Sequence, residues 1–211
     1  MKALAPAAMR PRKTPHQSRA KVTVDAIFEA TLQVLIRDGT ARLTTTRVAE
    51  RAGVSVGTMY QYFPNKQALI YALNARYLDV LAERIEATCR DQHGAAIERM
   101  IEALVDTYWC AKTERADVTR ALYNSVAEMD NDALIQHFAE RTNTATQRML
   151  DSAADARFQD PEMTNLMLVT VIFGTIRNAF ERNLDAQAAA GLRDELVAMC
   201  CAYAGHARIE P

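Results

Sequence analysis

Hydroxyls, an amide and an amine crowd the stretch from Leu43 to Lys66: Thr44, Thr46, Ser55, Thr58, Tyr60, Gln61, Tyr62 and Lys66. Groups of these types hydrogen-bond to oxygen anions and base edges; they are not a bond-breaking set. A catalytic reading needs a nucleophile beside a base, a Gly-rich phosphate loop or a metal-ligand spacing, and the sequence offers none of the three. His16, His93, His137 and His206 are scattered. Cys89, Cys110, Cys200 and Cys201 fall outside CxxC spacing, and an adjacent pair suits neither a disulfide framework nor a zinc knuckle. The expectation is a chain with reduced thiols and with no catalytic residue, metal or cofactor.

Helices must position these groups. Val24, Ile27, Phe28, Thr31, Leu32, Leu35 and Ile36 recur at helical spacing from Thr23, and Asp38-Gly39 ends the run, with Gly39 as a left-handed cap. Thr44 caps a short helix, roughly Thr45 to Ala52, whose buried stripe is Val48, Ala49 and Ala52. Gly53 supplies the turn and Val54 plugs it. Ser55 caps a second short helix from Val56 to about Tyr62, which Pro64 ends because the residue before a proline avoids the helical region. Two short helices joined by a tight glycine turn make a helix-turn-helix. Asn65 caps a long third segment, Lys66 to about Arg90, carried by Leu69, Ile70, Leu73, Tyr77, Leu78, Leu81 and Ile85.

The second short helix starts with Ser55, Val56, Gly57 and Thr58, small enough to let backbone approach a duplex. Gly57 costs helix propensity, which is a reason to suspect function. Tyr60 and Lys66 can hold phosphate oxygens without reading sequence, and Lys66 stands at a helix N-terminus. Thr44 can add its hydroxyl, or cap alone. Gln61 can read adenine through its amide and Val56 can pack on a thymine methyl. Tyr62 suits a phosphate or a base. Thr46 and Arg47 stand where they reach the groove edge, although Arg47 fits a solvated surface equally well. Val48, Ala49, Val54, Met59 and Phe63 belong to the small core.

The string Thr44…Val48-Ala49…Ala52-Gly53-Val54-Ser55…Gly57-Thr58-Met59-Tyr60…Tyr62-Phe63…Asn65-Lys66…Leu69 resembles the TetR family of bacterial transcriptional regulators. The motif covers about residues 20–80; the remainder is similar only in architecture. The resemblance implies that Tyr60 and Lys66 contact phosphates, that the last two helices form a four-helix dimer interface, and that the body encloses an inducer cavity. Many members carry a polar residue where this chain has Val56.

Composition agrees with an all-α fold. Apolar residues make up 49% of 211, and after Pro15 only Pro64, Pro161 and Pro211 punctuate the chain, too few for a sandwich or an α/β sheet. Residues 1–66 hold eleven Lys/Arg against four Asp/Glu, whereas 67–211 hold fourteen against twenty-two. A basic third on an acidic remainder points one end at a polyanion. Residues 1–21 read as a flexible basic arm offering Arg10, Arg12, Lys13, Arg19 and Lys21 to a minor groove or to phosphates, or as a solubilising tail. Residues 22–80 then form the helix-turn-helix domain (motif about 44–63), and 81–211 a helical ligand-binding and dimerisation domain, with segments near 95–113, 116–128, 131–154, 161–183 and 188–205. The uncharged run Met163–Ile176 is too short to span a bilayer, so no membrane partner is expected.

Residues 163–180 are apolar almost all round, so one side should face the chain's own body and another a second copy; with Leu192, Leu196, Val197, Met199, Cys200 and Tyr203 this places a homodimer interface at about 161–205. Candidate ligand residues are Met100, Leu104, Tyr108, Trp109, Tyr123, Phe138, Met149 and Phe173, which equally suit a packed core. Asn124, Asn143, Arg148 or Arg177 can orient a polar group, and no buried basic pair nominates an anionic ligand. The reading is therefore a cytoplasmic bacterial regulator, nucleoid-associated when bound to its operator: a dimeric repressor of a palindromic double-stranded DNA operator, released by a small hydrophobic inducer. The long helix from Lys66 serves as the lever. The alternatives are a helical interaction module without sequence-specific DNA binding and a small helical enzyme.

Overall fold

The computed structural model describes residues 18–126, 130–182 and 184–209. Among them the chain runs α1 (Ser18–Asp38), a single 3-10 turn (Thr40–Arg42), α2 (Thr45–Arg51), α3 (Val56–Tyr62), α4 (Lys66–Asp91), α5 (Ile97–Thr113), α6 (Ala116–Val126), α7 (Asp132–Asp151), α8 (Pro161–Glu181) and α9 (Ala186–Ala207). The all-helical expectation holds; among the described residues the sole β-type pairing is an isolated bridge between Phe158 and Arg208.

The local punctuation works as the residue types require. The Thr44 hydroxyl accepts from the Arg47 amide at 3.2 Å, and the Ser55 hydroxyl from the Thr58 amide at 2.9 Å, each satisfying an amide that the first helical turn leaves open. Asn65 does the same for Ala68 at 2.8 Å. Gly53 turns at φ 67°, and Gly39 at φ 74°. At Gly39 ψ is 176°, so it keeps the positive φ that favours glycine but lies outside the left-handed helical basin that the sequence suggests.

α1 starts at Ser18, so Arg19 and Lys21 lie in a helix and not in an arm; no breaker separates them from Thr23. Arg10, Arg12 and Lys13 lie outside the described residues. Val34 is buried on α1 and Ile36 is exposed, because Ile36 is half a helical turn away from the stripe set by Ile27.

The chain divides into two compact units. The first takes residues up to Leu78 together with Asp117–His137; the second takes Asp79–Ala116 and everything from Phe138. The sequence reading placed 117–137 with the body. Their side chains place them with the first unit: Val118, Ala121 and Leu122 join its core, Asn74 Nδ2 donates to Ser125 Oγ at 3.3 Å, and the Tyr77 and Thr119 hydroxyls meet at 3.1 Å.

The first unit's core gathers Ile27, Phe28, Leu43, Val48, Ala49, Met59, Phe63 and Leu69 from α1 to α4, with Phe28 and Phe63 rings 5.6 Å apart. The second unit's core gathers Ile85, Met100, Leu104, Met149, Ile172, Ile176 and Leu196. Arg141 ties α7 to α4 through two bonds to Glu86, 2.9 and 3.0 Å, and one to Asp79 at 2.9 Å. The Glu86 hydrogen bond raises the basicity of Arg141, with the charges of Glu86 and Asp79 adding to it. Arg193 ties α9 to α5 through Asp106.

α8 exceeds the sequence expectation. Pro161–Phe180, 20 residues, is long and apolar enough to cross a membrane by length and composition alone. The uncharged run understated it because Glu162 and Arg177 lie within the helix. Its Leu168, Ile172 and Ile176 are buried in the second unit's core, as a core helix requires.

Candidate functional site

α2 and α3 are only seven residues each, and both turn their apolar residues inward: Val48 and Ala49 from α2, Met59 from α3. What remains outside is the set of candidate contacts. Thr44, Thr46, Arg47, Ser55, Gly57 and Gln61 are exposed, and Thr58, Tyr62 and Lys66 are half-buried. Val56 is 39% and Tyr60 41% exposed. The structure thus brings α3's candidates together on the outer side of that helix, with Thr44, Thr46 and Arg47 at the start of α2.

Several of these side chains also have partners within the fold. The Tyr60 hydroxyl meets Thr45 Oγ1 at 3.2 Å, which fixes the ring while leaving it accessible. Thr45 is a positioning residue that the sequence reading passed over, although it stands beside Thr44 and Thr46 in one run. Ser55 and Thr58 hydroxyls meet at 2.8 Å. Lys66 Nζ donates to the Thr40 carbonyl at 3.2 Å, so its ammonium pins the 3-10 turn and keeps further protons for an anion. Arg47 is exposed, and its guanidinium donates to the Arg42 carbonyl at 3.3 Å, with Asp38 at 3.8 Å. The hydrogen bond from Arg37 holds the Asp38 carboxyl below the usual carboxylate range, and the charges of Arg47 and Arg42 add to it.

Gly57 is the informative residue. A Cβ there would meet only Ser55 Oγ, at 3.7 Å, an ordinary contact. The backbone is helical and needs no positive φ. Nothing in the fold therefore requires glycine at the start of α3, and the open space faces outward.

Comparison with known proteins decides the family. Residues 27–73 match the family model for bacterial regulatory proteins, tetR family, and residues 96–203 match the tetracyclin repressor-like C-terminal domain. The chain belongs to the TetR family. The HTH-type transcriptional repressor KstR of Rhodococcus jostii (strain RHA1) is 31% identical over 151 residues, 67% of this chain and 69% of KstR. The nucleoid occlusion factor SlmA of Actinobacillus pleuropneumoniae serotype 5b (strain L20) is 31% identical over 125 residues, and the chain spans 61% of SlmA's length with 57% of its own. Among solved structures, FadR from Bacillus subtilis in complex with stearoyl-CoA superposes with a TM-score of 0.67 at 16% identity, covering 83% of this chain and 96% of FadR, a likeness of fold.

In this TetR-family chain the proposed ligand residues divide. Tyr123 lies on α6 in the first unit, apart from the other seven. Met100, Leu104, Tyr108 and Met149 are buried in the second unit's core, and Trp109, Phe138 and Phe173 pack against it. The Tyr108 and Phe173 rings stack at 4.2 Å, and Phe138 tilts against Phe173 at 5.8 Å. Two open clefts of the second unit, about 1120 and 570 Å³, are lined elsewhere, by residues such as Gln147, Met163 and His206 and by Gly174, Asn178 and Leu192. None of the eight candidates lines either cleft. Asn124, Arg148 and Arg177 are exposed and Asn143 is half-buried.

One buried base lies outside the candidates named from the sequence. Lys112 on α5 is 2% exposed, with Nζ 5.3 Å from the centre of the Tyr108 ring. Burial pushes its ammonium down to about pKa 7, and the charge of Arg177 adds to the effect. A signal was present in the sequence: Lys112 lies on the apolar stripe that Met100, Leu104 and Tyr108 mark at four-residue spacing.

Proposed function

We propose that the chain is a dimeric transcriptional repressor that acts in the bacterial cytoplasm and leaves a palindromic DNA operator when a small hydrophobic ligand binds its helical body. The observation that carries the DNA half is α3. It presents Ser55, Val56, Gly57, Tyr60 and Gln61 outward, and its glycine is unexplained by packing. A recognition helix needs such a small-residue start to let its backbone close on base edges. Tyr60 and Lys66 hold phosphates; Gln61 and Val56 read bases; the α3 helices of two subunits sit about 34–36 Å apart in successive major grooves.

Support for the dimer comes from the outer faces of α8 and α9. Met163, Leu166 (49% exposed) and Met167 on α8, and Met199 (51%) on α9, are large apolar side chains turned to solvent. Ala198, Ala202 and Gly205 beside Met199 are exposed and small enough to let a second helix pair come close. Support for ligand response comes from FadR, whose structure is that of a regulator bound to stearoyl-CoA.

Fluorescence anisotropy with duplexes tiled across the upstream region tests the proposal, with salt titrated and a scrambled duplex alongside. Tight, salt-dependent binding to one palindromic tile is expected. Equal, weak binding to every duplex, persisting after selection against genomic fragments, would reduce the basic surface to an ordinary one.

A further inference from the structure

The corner between α1 and α2, from Arg37 to Arg47, holds three arginines and one acid, Asp38. All three arginines are exposed, whereas Leu43 between them is buried and anchors the corner in the first unit's core. Hydrogen bonds fix its backbone. Gly39 donates its amide to the Leu35 carbonyl at 3.1 Å, and the Thr40 carbonyl accepts from the Leu43 amide at 3.3 Å and from Lys66 Nζ at 3.2 Å. The Arg42 carbonyl accepts from Arg47 Nη1 at 3.3 Å. The 3-10 turn is thereby tied to the start of α2 and to the start of α4.

Arg37 and Arg47 share one carboxylate. Arg37 grips Asp38 with Nε and Nη2, at 3.0 and 2.9 Å, and Arg47 Nη1 stands 3.8 Å from the same group. The Asp38 side chain is 13% exposed, against 62% for Arg37 and 50% for Arg47, so the acid is covered and the bases face solvent. The charge of Arg42 acts on Asp38 as well. With Lys66 the corner carries four positive charges against one negative charge. A fork held through Nε and Nη2 still presents Nη1 to a second anion, and a guanidinium already oriented loses less rotamer freedom when that anion arrives. Repulsion among the bases is unfavourable in the free protein and is relieved when a polyanion approaches them.

We propose that this corner is a second phosphate-binding surface: Arg37, Arg42 and Arg47, together with Lys66, hold backbone oxygens of double-stranded DNA and read no bases. The proposal rests on the reading of the chain as a DNA-binding regulator and adds Arg37 and Arg42, which lie outside the helix-turn-helix motif. Position favours DNA as the polyanion. Thr44 and Thr45 follow the corner directly, and Thr45 Oγ1 meets the Tyr60 hydroxyl at 3.2 Å, so the corner borders the outer side of α3. Chemistry favours the phosphate over the base. A 3-10 turn is neither a helix nor a strand that can enter a groove, and guanidinium forks match phosphate oxygens. Asp38 is then a positioning residue, which orients Arg37 and Arg47 without touching DNA.

Fluorescence anisotropy of the full chain across a salt series provides the test. Phosphates are alike in every duplex, so a scrambled duplex serves beside the tile selected from the upstream region. Arg42→Gln is the principal variant, because the Arg42 side chain is exposed and its carbonyl, which the variant keeps, is what holds Arg47. It should weaken binding to both duplexes about tenfold or more at about 0.1 M salt, and lower the salt slope by about 1.8, one phosphate contact from each subunit of the proposed dimer. The ratio of the two affinities should stay the same. Arg42→Lys should restore most of the slope, since a point charge still releases counterions. Arg90→Gln removes one exposed charge at the end of α4, in the second unit, and should leave the slope unchanged. An unchanged slope in R42Q, an equal loss in R90Q, or an altered sequence preference in R42Q would each overturn the proposal. Wild-type binding that depends on salt and is matched by R42Q would remove the corner and leave the DNA-binding reading in place. Failure of the wild type to bind any duplex would remove that reading too.

Discussion

Replacing Lys112 with methionine should stabilise the second unit, and by an amount that depends on pH. In the unfolded chain the amine has its ordinary pKa of 10.5; in the folded chain burial, helped by Arg177, lowers it to about 7. Between those values the unfolded chain binds the extra proton, so stability rises with pH, and below about pH 7 the full cost is present. At about 1.36 kcal/mol per unit, the displacement corresponds to roughly 4–5 kcal/mol at full protonation. Raising the pH from 7 to 9 should relieve about 2 kcal/mol of it. Lys112→Met removes the charge and keeps the volume, so the variant should be more stable by about 2–4 kcal/mol at pH 7, and the gap should narrow by about 2 kcal/mol at pH 9. The single tryptophan, Trp109, packs against the second unit's core. Urea unfolding followed by its fluorescence, at fixed protein concentration, therefore reports on the right unit. Wild type and variant curves that stay parallel from pH 6 to pH 10 would show that Lys112 keeps its ordinary basicity, and the reasoning would fall.

Gly57→Ala should act with opposite signs on two readouts: the free protein gains about 0.5–1 kcal/mol in a thermal melt, because the added Cβ meets only Ser55 Oγ at 3.7 Å, while operator affinity drops. An unchanged affinity in anisotropy would take Gly57 out of the interface. Tyr60→Phe should weaken binding to every duplex about fivefold without altering sequence preference, as loss of one phosphate hydrogen bond implies; a changed preference would make Tyr60 a base reader. Leu166→Asp should convert the proposed dimer to monomers in sedimentation velocity while the isolated fold keeps its helical circular dichroism, since Leu166 is 49% exposed in the single chain. Arg141→Met should cost the second unit about 1–2 kcal/mol in urea, the worth of a charged bidentate contact that is only partly buried; a loss near zero would mean that Glu86 and Asp79 are satisfied by water.

The elements were legible wherever a few neighbouring residues decide them. Thr44, Ser55, Asn65 and Pro64 act through hydrogen bonds or steric clashes within one helical turn, so α2 and α3 appear in the structure with the bounds their caps imply. The inward and outward sides of α3 followed from Met59 and Phe63 against Gly57, Tyr60 and Gln61. Ile36 shows the limit of the same reasoning: a run of apolar residues defines a stripe only after its centre is known, and Val34 held the place instead.

Sequence alone determined that this is a helical chain whose basic end carries a helix-turn-helix, because capping, helical periodicity and charge are properties of adjacent residues; the motif string added the resemblance to the TetR family. Tertiary structure decided the rest. It assigned α6 to the first unit through Asn74–Ser125 and Tyr77–Thr119, turned Arg47 onto Asp38, and braced Tyr60 with Thr45. It also enclosed Lys112 beside Tyr108 within the core. Each of these depends on which residue arrives opposite, and so does the solvation of a charge: the same lysine is an ordinary base in water and a displaced one buried beside the Tyr108 ring.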